Sequence, residues 1–241
     1  MRVTCIVLAG GRGTRLHPLT WLLHKSLLPA GRHRRLIDDA LGCCQAISVQ
    51  HTVTVVVLAR CRAWQLRWYV RNRSGVTLFV ESHNHGTGGA LLQYWTSGQL
   101  GDPDAVIILP ADHVLSEDLS EILTLLEKDN VGVVIGCVQS REPHHDYLVL
   151  DNDIVVDICP SNKRTSSLAF TGIWCVSGSV LTHYLQRVHV FDALSMKDSI
   201  LVPLLREQRS CFYKFRNPWG DLGTWSRYIR FLITQRKNVR R

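Results

Sequence analysis

No stretch of this 241-residue sequence approaches the roughly 20 consecutive apolar residues of a membrane-spanning helix, so no helical span is expected. No repeat, low-complexity tract or Pro/Gly/Ser-rich linker interrupts it, which argues against a solenoid or a string of tethered domains. The eight cysteines (Cys5, Cys43, Cys44, Cys61, Cys137, Cys159, Cys175 and Cys211) form no C-x-x-C pair, which speaks against a zinc ribbon or a dithiol redox motif. Cys5, Cys137 and Cys175 stand in apolar runs, where a reduced thiol acts as a small core residue. Met1-Arg2-Val3-Thr4 leads straight into an apolar segment without a signal peptide, so a cytoplasmic location is expected. A formal net charge of +8 comes with no nucleic-acid-binding motif. The basic clusters Arg32–Arg35, Arg60–Arg73 and Arg236–Arg241 therefore read as a surface suited to anionic substrates plus a solvated tail, with no nucleic-acid role.

Hydrophobic residues make up 46% of the chain and charged ones 20%, a globular balance for one α/β domain over Met1–Arg241. The apolar run Val3–Ala9 reads as a buried parallel strand. Leu36–Ser48, Ala63–Arg73, Gly89–Gln99 and Ser116–Lys128 have helical character, the last with Ser116 as cap and Glu117 and Asp118 in its first turn. Val53–Leu58, Val76–Val80, Ala105–Leu109 and Val131–Val138 read as strands between them. This alternation predicts a Rossmann-like, mixed but mostly parallel sheet flanked by helices, with ligands at the carboxyl ends of its strands.

Chemistry concentrates in the turn after the first strand, Gly10-Gly11-Arg12-Gly13-Thr14-Arg15-Leu16, followed by Lys25. Glycines let backbone N–H groups close on an anion, and Arg15 and Lys25 can neutralise phosphate charge. A Walker A loop would need a Lys-Ser/Thr pair after its second glycine, and a dinucleotide fingerprint would need a third glycine where Leu16 stands. Neither pattern is met. A second glycine turn, Glu81-Ser82-His83-Asn84-His85-Gly86-Thr87-Gly88-Gly89, opens a helix, whose N-terminus favours anionic groups. Val106–Leu109 ends in Pro110-Ala111-Asp112-His113, placing a carboxylate at the tip of a buried strand, where it needs a partner. Near the C-terminus stands Trp219-Gly220-Asp221-Leu222-Gly223-Thr224.

In this order the four elements resemble the signature of the sugar-1-phosphate nucleotidylyltransferases, the nucleotide-sugar pyrophosphorylases. That signature runs roughly L-A-G-G-x-G-T-R-L-x-P-L-T, P-K-P-L-L-P, L-G-T-[AG]-G-A-L and W-x-D-[ITL]-G-T. The resemblance implies transfer of a nucleoside monophosphate from a nucleoside triphosphate to a sugar 1-phosphate, with Mg2+ as cofactor. It assigns Arg15 and Lys25 to catalysis and Leu8, Gly10, Gly11, Gly13, Thr14, Glu81, Gly86 and Thr87 to the nucleotide. Asp112 and Asp221 would hold the metal. Residues 1–140 would then form the nucleotide-binding part and residues 141–225 the sugar-binding part. Tyr147–Ile158 resembles the family's Y-G-x-V hairpin, and Phe170-Thr171-Gly172-Ile173-Trp174 its N-x-G-I-Y strand, implicating Tyr147, Thr171 and Gly172 in sugar binding. The family's Glu-Lys-Pro is replaced by Cys159-Pro160-Ser161-Asn162-Lys163-Arg164: the glutamate is absent, and Lys163 is named for sugar binding with its equivalence to the family's lysine left open. His24 and Ser26 replace the prolines that flank the family's lysine. A catalytically degenerate protein that binds sugar nucleotides as a regulatory or structural partner is the alternative. Nucleobase, sugar and homo-oligomerisation are left open.

Overall fold

β1 (Arg2–Ala9) lies in the middle of the sheet because its side chains are apolar on both faces. The computed structural model describes residues 1–188 and 193–238, with side chains as far as residue 235; the rest of the basic tail at 236–241 lies outside the described residues. β1 pairs in parallel with β2 (Thr52–Ala59) on one side and β4 (Ala105–Pro110) on the other, and β2 pairs in parallel with β3 (Val76–Val80). Beyond β4 come β9 (Leu168–Ser177), β6 (Val133–Gln139) and β10 (Ser210–Lys214), giving the order β10-β6-β9-β4-β1-β2-β3. β9 runs antiparallel to both neighbours, while β10 and β6 are parallel. A hairpin of β7 (Asp146–Asp151) and β8 (Ile154–Pro160) joins this sheet through Tyr147 opposite Ala169. Chain order reverses between β1 and β4, the switch point at which open α/β sheets bind ligands.

Two apolar layers cover the sheet. Val3, Cys5 and Val7 face α2 (Ile37–Ile47), α3 (Ala63–Val70) and α5 (Ser120–Leu126). Ile6 faces α4 (Gly86–Thr96), α6 (Gly178–Leu185) and α7 (Val202–Glu207). A third cluster joins the first loop to the C-terminus: Leu16, Leu28 and Leu36 pack on Leu222 and on Tyr228 of α8 (Trp225–Asn238). Tyr228 donates to the Pro29 carbonyl (2.9 Å) and Trp225 Nε1 to that of His17 (2.7 Å), so α8 fastens a loop about 200 residues away.

Several boundaries move from the sequence expectation. The helix expected over Ser116–Lys128 starts only at Ser120, because Glu117 is buried as an acceptor: Tyr213 Oη (2.9 Å) and the amides of Arg216 and Asn217 (3.2 and 3.0 Å) converge on its carboxylate. α4 starts at Gly86 rather than Gly89 and ends at Thr96. Gly86 has φ +73°, and a side chain there would strike the Leu194 carbonyl, so the helix opens where only glycine fits.

Candidate active site

The loop after β1 is a short 3-10 turn, Thr14–Leu16, entered through Gly13 at φ +67°. A Cβ on Gly13 would press on Thr20 and Lys25 at 3.0–3.1 Å, so this glycine is needed for conformation and for space. Thr20, in α1 (Leu19–Leu22), ties the loop back by donating to the Gly13 carbonyl (2.8 Å). Lys25 begins a second 3-10 turn, Lys25–Leu27, and its Nζ forms an ion pair with Asp112, just past the end of β4. Burial alone would raise the Asp112 carboxyl; Lys25, with His113, outweighs it and holds it below the usual carboxylate range.

His24, directly before Lys25, is held through its ring. Its ring is buried, with Nδ1 accepting from Ser26 N (3.1 Å) and Nε2 2.9 Å from the Ala9 carbonyl, which assigns the proton to Nε2. The imidazole thus joins the end of β1 to the Lys25 turn. Burial lowers its pKa from 6.5 to about 4. At neutral pH His24 is uncharged in both folded and unfolded chains; below pH 6.5 only the unfolded chain takes up the proton. Stability should therefore drop by roughly 3 kcal/mol between pH 6.5 and 4, at about 1.4 kcal/mol per pH unit. Urea midpoints against pH check this: His24→Asn should flatten the loss by about that amount, and an unchanged slope would assign it to another group.

Asp221 reaches Asp112 through a two-stranded ribbon. β5 (His113–Val114) pairs antiparallel with β11 (Gly220–Asp221), setting Asp221 opposite His113. Buried carboxylates hold both arms: Asp39 accepts from Leu115 N (3.1 Å) and faces Arg34 (3.2 Å), and Glu117 anchors the run before Trp219. Asp221 accepts from Gly223 N (2.7 Å), pairs with Arg227, and lies 3.9 Å from His113 Nε2. Trp219 is packed edge-on against both His113 and His145.

The donor atoms of Asp112, His113 and Asp221 lie within 4.8 Å of one another. Two carboxylates at that spacing can share one hard divalent cation that keeps several waters. His113 Nδ1 is buried without a hydrogen-bond partner among the described residues, a further mark of a polar centre left incompletely satisfied by protein atoms. Arg15 Nη2 and Lys25 Nζ both come within 3.4 Å of the space a Cβ on Gly223 would fill, so the two cations and Asp221 meet at one point.

Two cavities flank this centre. One, of about 110 Å³, is bounded by Leu8, Gly10, Gly11, Glu81, Gly86 and Thr87, with Leu58 and Arg60 behind. The other, about 760 Å³, opens beyond Asp221 between His145, Trp219, Arg15, Arg227 and Arg230.

The expected residues separate clearly. Arg15, Lys25, Asp112 and Asp221 converge, and Leu8, Gly10, Gly11, Glu81, Gly86 and Thr87 line one cavity, with Gly13 and Thr14 forming the turn between. The residues expected on the sugar side do not gather in one cavity. Tyr147 is fully buried with its hydroxyl donated to the Glu142 carbonyl (2.7 Å), because β7 turns that side chain inward. Thr171 is equally buried and donates to Gly136 O (2.7 Å) across an irregularity between β6 and β9. Lys163 is exposed and lines neither cavity. Gly172, φ +78°, acts through space: a Cβ there would press on Pro110 and His113 at 3.0–3.1 Å. Arg227 and Arg230 belong to none of the four motifs, although their spacing of three on a helix puts both on one face.

Fold and site together define a doubly wound α/β protein with a glycine-rich loop and two cations, Arg15 and Lys25, at its switch point. The model of the nucleotidyl transferase family matches residues 4–237, and the chain belongs to that family. It is 28% identical over 94% of its length to a glucose-1-phosphate adenylyltransferase of Pseudothermotoga lettingae, of which it covers 59%. To the enzyme of that name from Geobacillus stearothermophilus it is 27% identical over 93% of its length, covering 64%. The chain thus spans about three-fifths of these relatives. A Bacillus anthracis structure in complex with a sucrose, assigned as a glucose-1-phosphate thymidylyltransferase, shares the fold with a TM-score of 0.83 at 20% identity, covering 97% of this chain and 95% of that one.

Proposed function

We propose that this protein transfers a nucleoside monophosphate from a nucleoside triphosphate to a sugar 1-phosphate, releasing pyrophosphate and forming a nucleoside diphosphate sugar. The observation that carries this reading is the meeting of Arg15, Lys25 and Asp221 at one point, with Asp112 paired to Lys25, between the glycine-lined cavity and a cationic cleft.

An anionic oxygen of the sugar 1-phosphate attacks the α-phosphorus. A new P–O bond forms as the α-phosphorus–oxygen bond to the β-phosphate breaks, and the electron pair leaves with pyrophosphate. No side chain has to act as nucleophile, because the attacking oxygen is already charged. The protein's task is to bring two anions together and to neutralise the charge that builds up between them. Loop amides and Arg15 suit the β- and γ-phosphates, and Lys25 the α-phosphate. Asp112 and Asp221 would hold the Mg2+, which when bound supplies charge neutralisation at the phosphate oxygens. Arg227, which also pairs with Asp221, and Arg230 line the larger cleft beside Arg15, and their guanidinium groups suit the second anion.

The altered flanks of Lys25, His24 and Ser26, and the missing Glu-Lys-Pro favour a second reading, a protein that binds sugar nucleotides without turning them over. A panel of nucleoside triphosphates crossed with sugar 1-phosphates, assayed for pyrophosphate with Mg2+, separates the two. Transfer requires pyrophosphate only when both substrates are present, with one nucleotide sugar formed per pyrophosphate; binding without release would leave the second reading standing.

A further inference from the structure

We propose that Glu81 makes the base pocket selective for guanine. The inference rests on the nucleotide reading of the site, but not on turnover.

Glu81 follows β3, its amide fixed on the Ala59 carbonyl (2.9 Å), and is 8% exposed. Its carboxylate points towards the first glycine loop, where any side chain at Gly10 would collide with Oε1. Among the described residues no group donates a hydrogen bond to either oxygen. The nearby cation, Arg60, has its Nε 3.9 Å from Oε2, beyond hydrogen-bond reach. The Glu81 oxygens face the cavity, where they accept and cannot donate, so a ligand that displaces water from them must bring donors of its own. Burial pushes the Glu81 carboxyl above its ordinary value, with Arg60 opposing; donors arriving with a ligand would favour the carboxylate form. Leu8, Leu58 and Ala90 give the cavity apolar walls for a flat ring, and Gly11 and Gly86 leave its sides open.

The missing partner is a rigid pair of adjacent donors. Guanine presents N1–H and the 2-amino group side by side, matched to the two oxygens of one carboxylate. Adenine and cytosine each set a ring acceptor beside their amino donor. Uracil and thymine set carbonyl oxygens on both sides of their single N–H. In each of those cases an acceptor faces the carboxylate, and repulsion adds to the lost bond.

Calorimetric binding of GTP, ITP, ATP, CTP, UTP and dTTP with Mg2+, without any sugar phosphate, tests this. GTP should bind at least roughly 30-fold tighter than ATP, CTP, UTP or dTTP; ITP, lacking only the 2-amino group, should lose roughly tenfold. Glu81→Gln, which exchanges one acceptor for a donor, should weaken GTP by roughly tenfold or more and strengthen UTP and dTTP. The GTP-to-ITP ratio of the unaltered protein serves if the variant does not fold. ATP or a pyrimidine nucleotide bound as tightly as GTP, or ITP bound as tightly as GTP, would overturn the proposal while sparing the transferase reading. Failure of every triphosphate to bind would overturn both.

Discussion

Replacing Lys25 by alanine should lower turnover about a thousandfold while the chain still folds. Removing one preorganised donor aimed at developing charge typically costs about 10²–10³ in rate, and Lys25 is in addition the cation paired with Asp112. A merely structural role for that pair makes a different prediction. If Lys25 served only to neutralise a poorly solvated carboxylate, Lys25→Ala would lower the urea midpoint, and adding Asp112→Asn would recover that stability. If Lys25 instead acts on the α-phosphate, Lys25→Ala loses turnover under conditions where it is still fully folded, because no positive charge is supplied there. Steady-state pyrophosphate release, with far-ultraviolet circular dichroism as the control for folding, decides between them; near-normal release by Lys25→Ala would remove Lys25 from the chemistry.

Asp221→Asn should cost as much, by another route. The amide oxygen can still accept from Gly223 N, so the ribbon of β5 and β11 should persist, but the charge opposing Arg227 and available to a cation is gone. Turnover is expected to fall by about a thousandfold or more, with partial recovery at high Mn2+, because a weakened site can be refilled by mass action. Nucleotide binding measured without metal should change far less. Unaltered turnover at low Mg2+ would show that Asp221 does not serve the metal.

The nucleotide half of the candidate site was legible in the sequence because backbone constraints write it there. Gly13 and Gly86 are needed for left-handed conformation and for close approach, and such positions leave a glycine that can be read directly. The parallel order around β1 was equally open to reading, since apolar runs alternate with helical ones. The sugar half is written less directly, because side-chain direction decides it. The resemblance implies sugar contacts for Tyr147 and Thr171, while β7 and the irregular pairing of β6 with β9 turn both inward onto backbone carbonyls. Glu117 misled in the opposite sense: a glutamate after a serine reads as a helix start, and only the fold brings Tyr213, Arg216 and Asn217 to it. The role of His24 needed the three-dimensional meeting of Ala9 and Ser26.

The proposed nucleotidyl transfer would have Asp112 and Asp221, far apart in sequence, act as one site for the cation of a bound triphosphate. Electron paramagnetic resonance titration of Mn2+ with a saturating nucleoside triphosphate tests this most directly, on the unaltered protein, Asp112→Asn and Asp221→Asn. One tight Mn2+ per chain is expected, weakened by roughly tenfold or more in each variant, as befits the loss of an ionic ligand. Equal Mn2+ affinity in all three proteins would contradict a shared site.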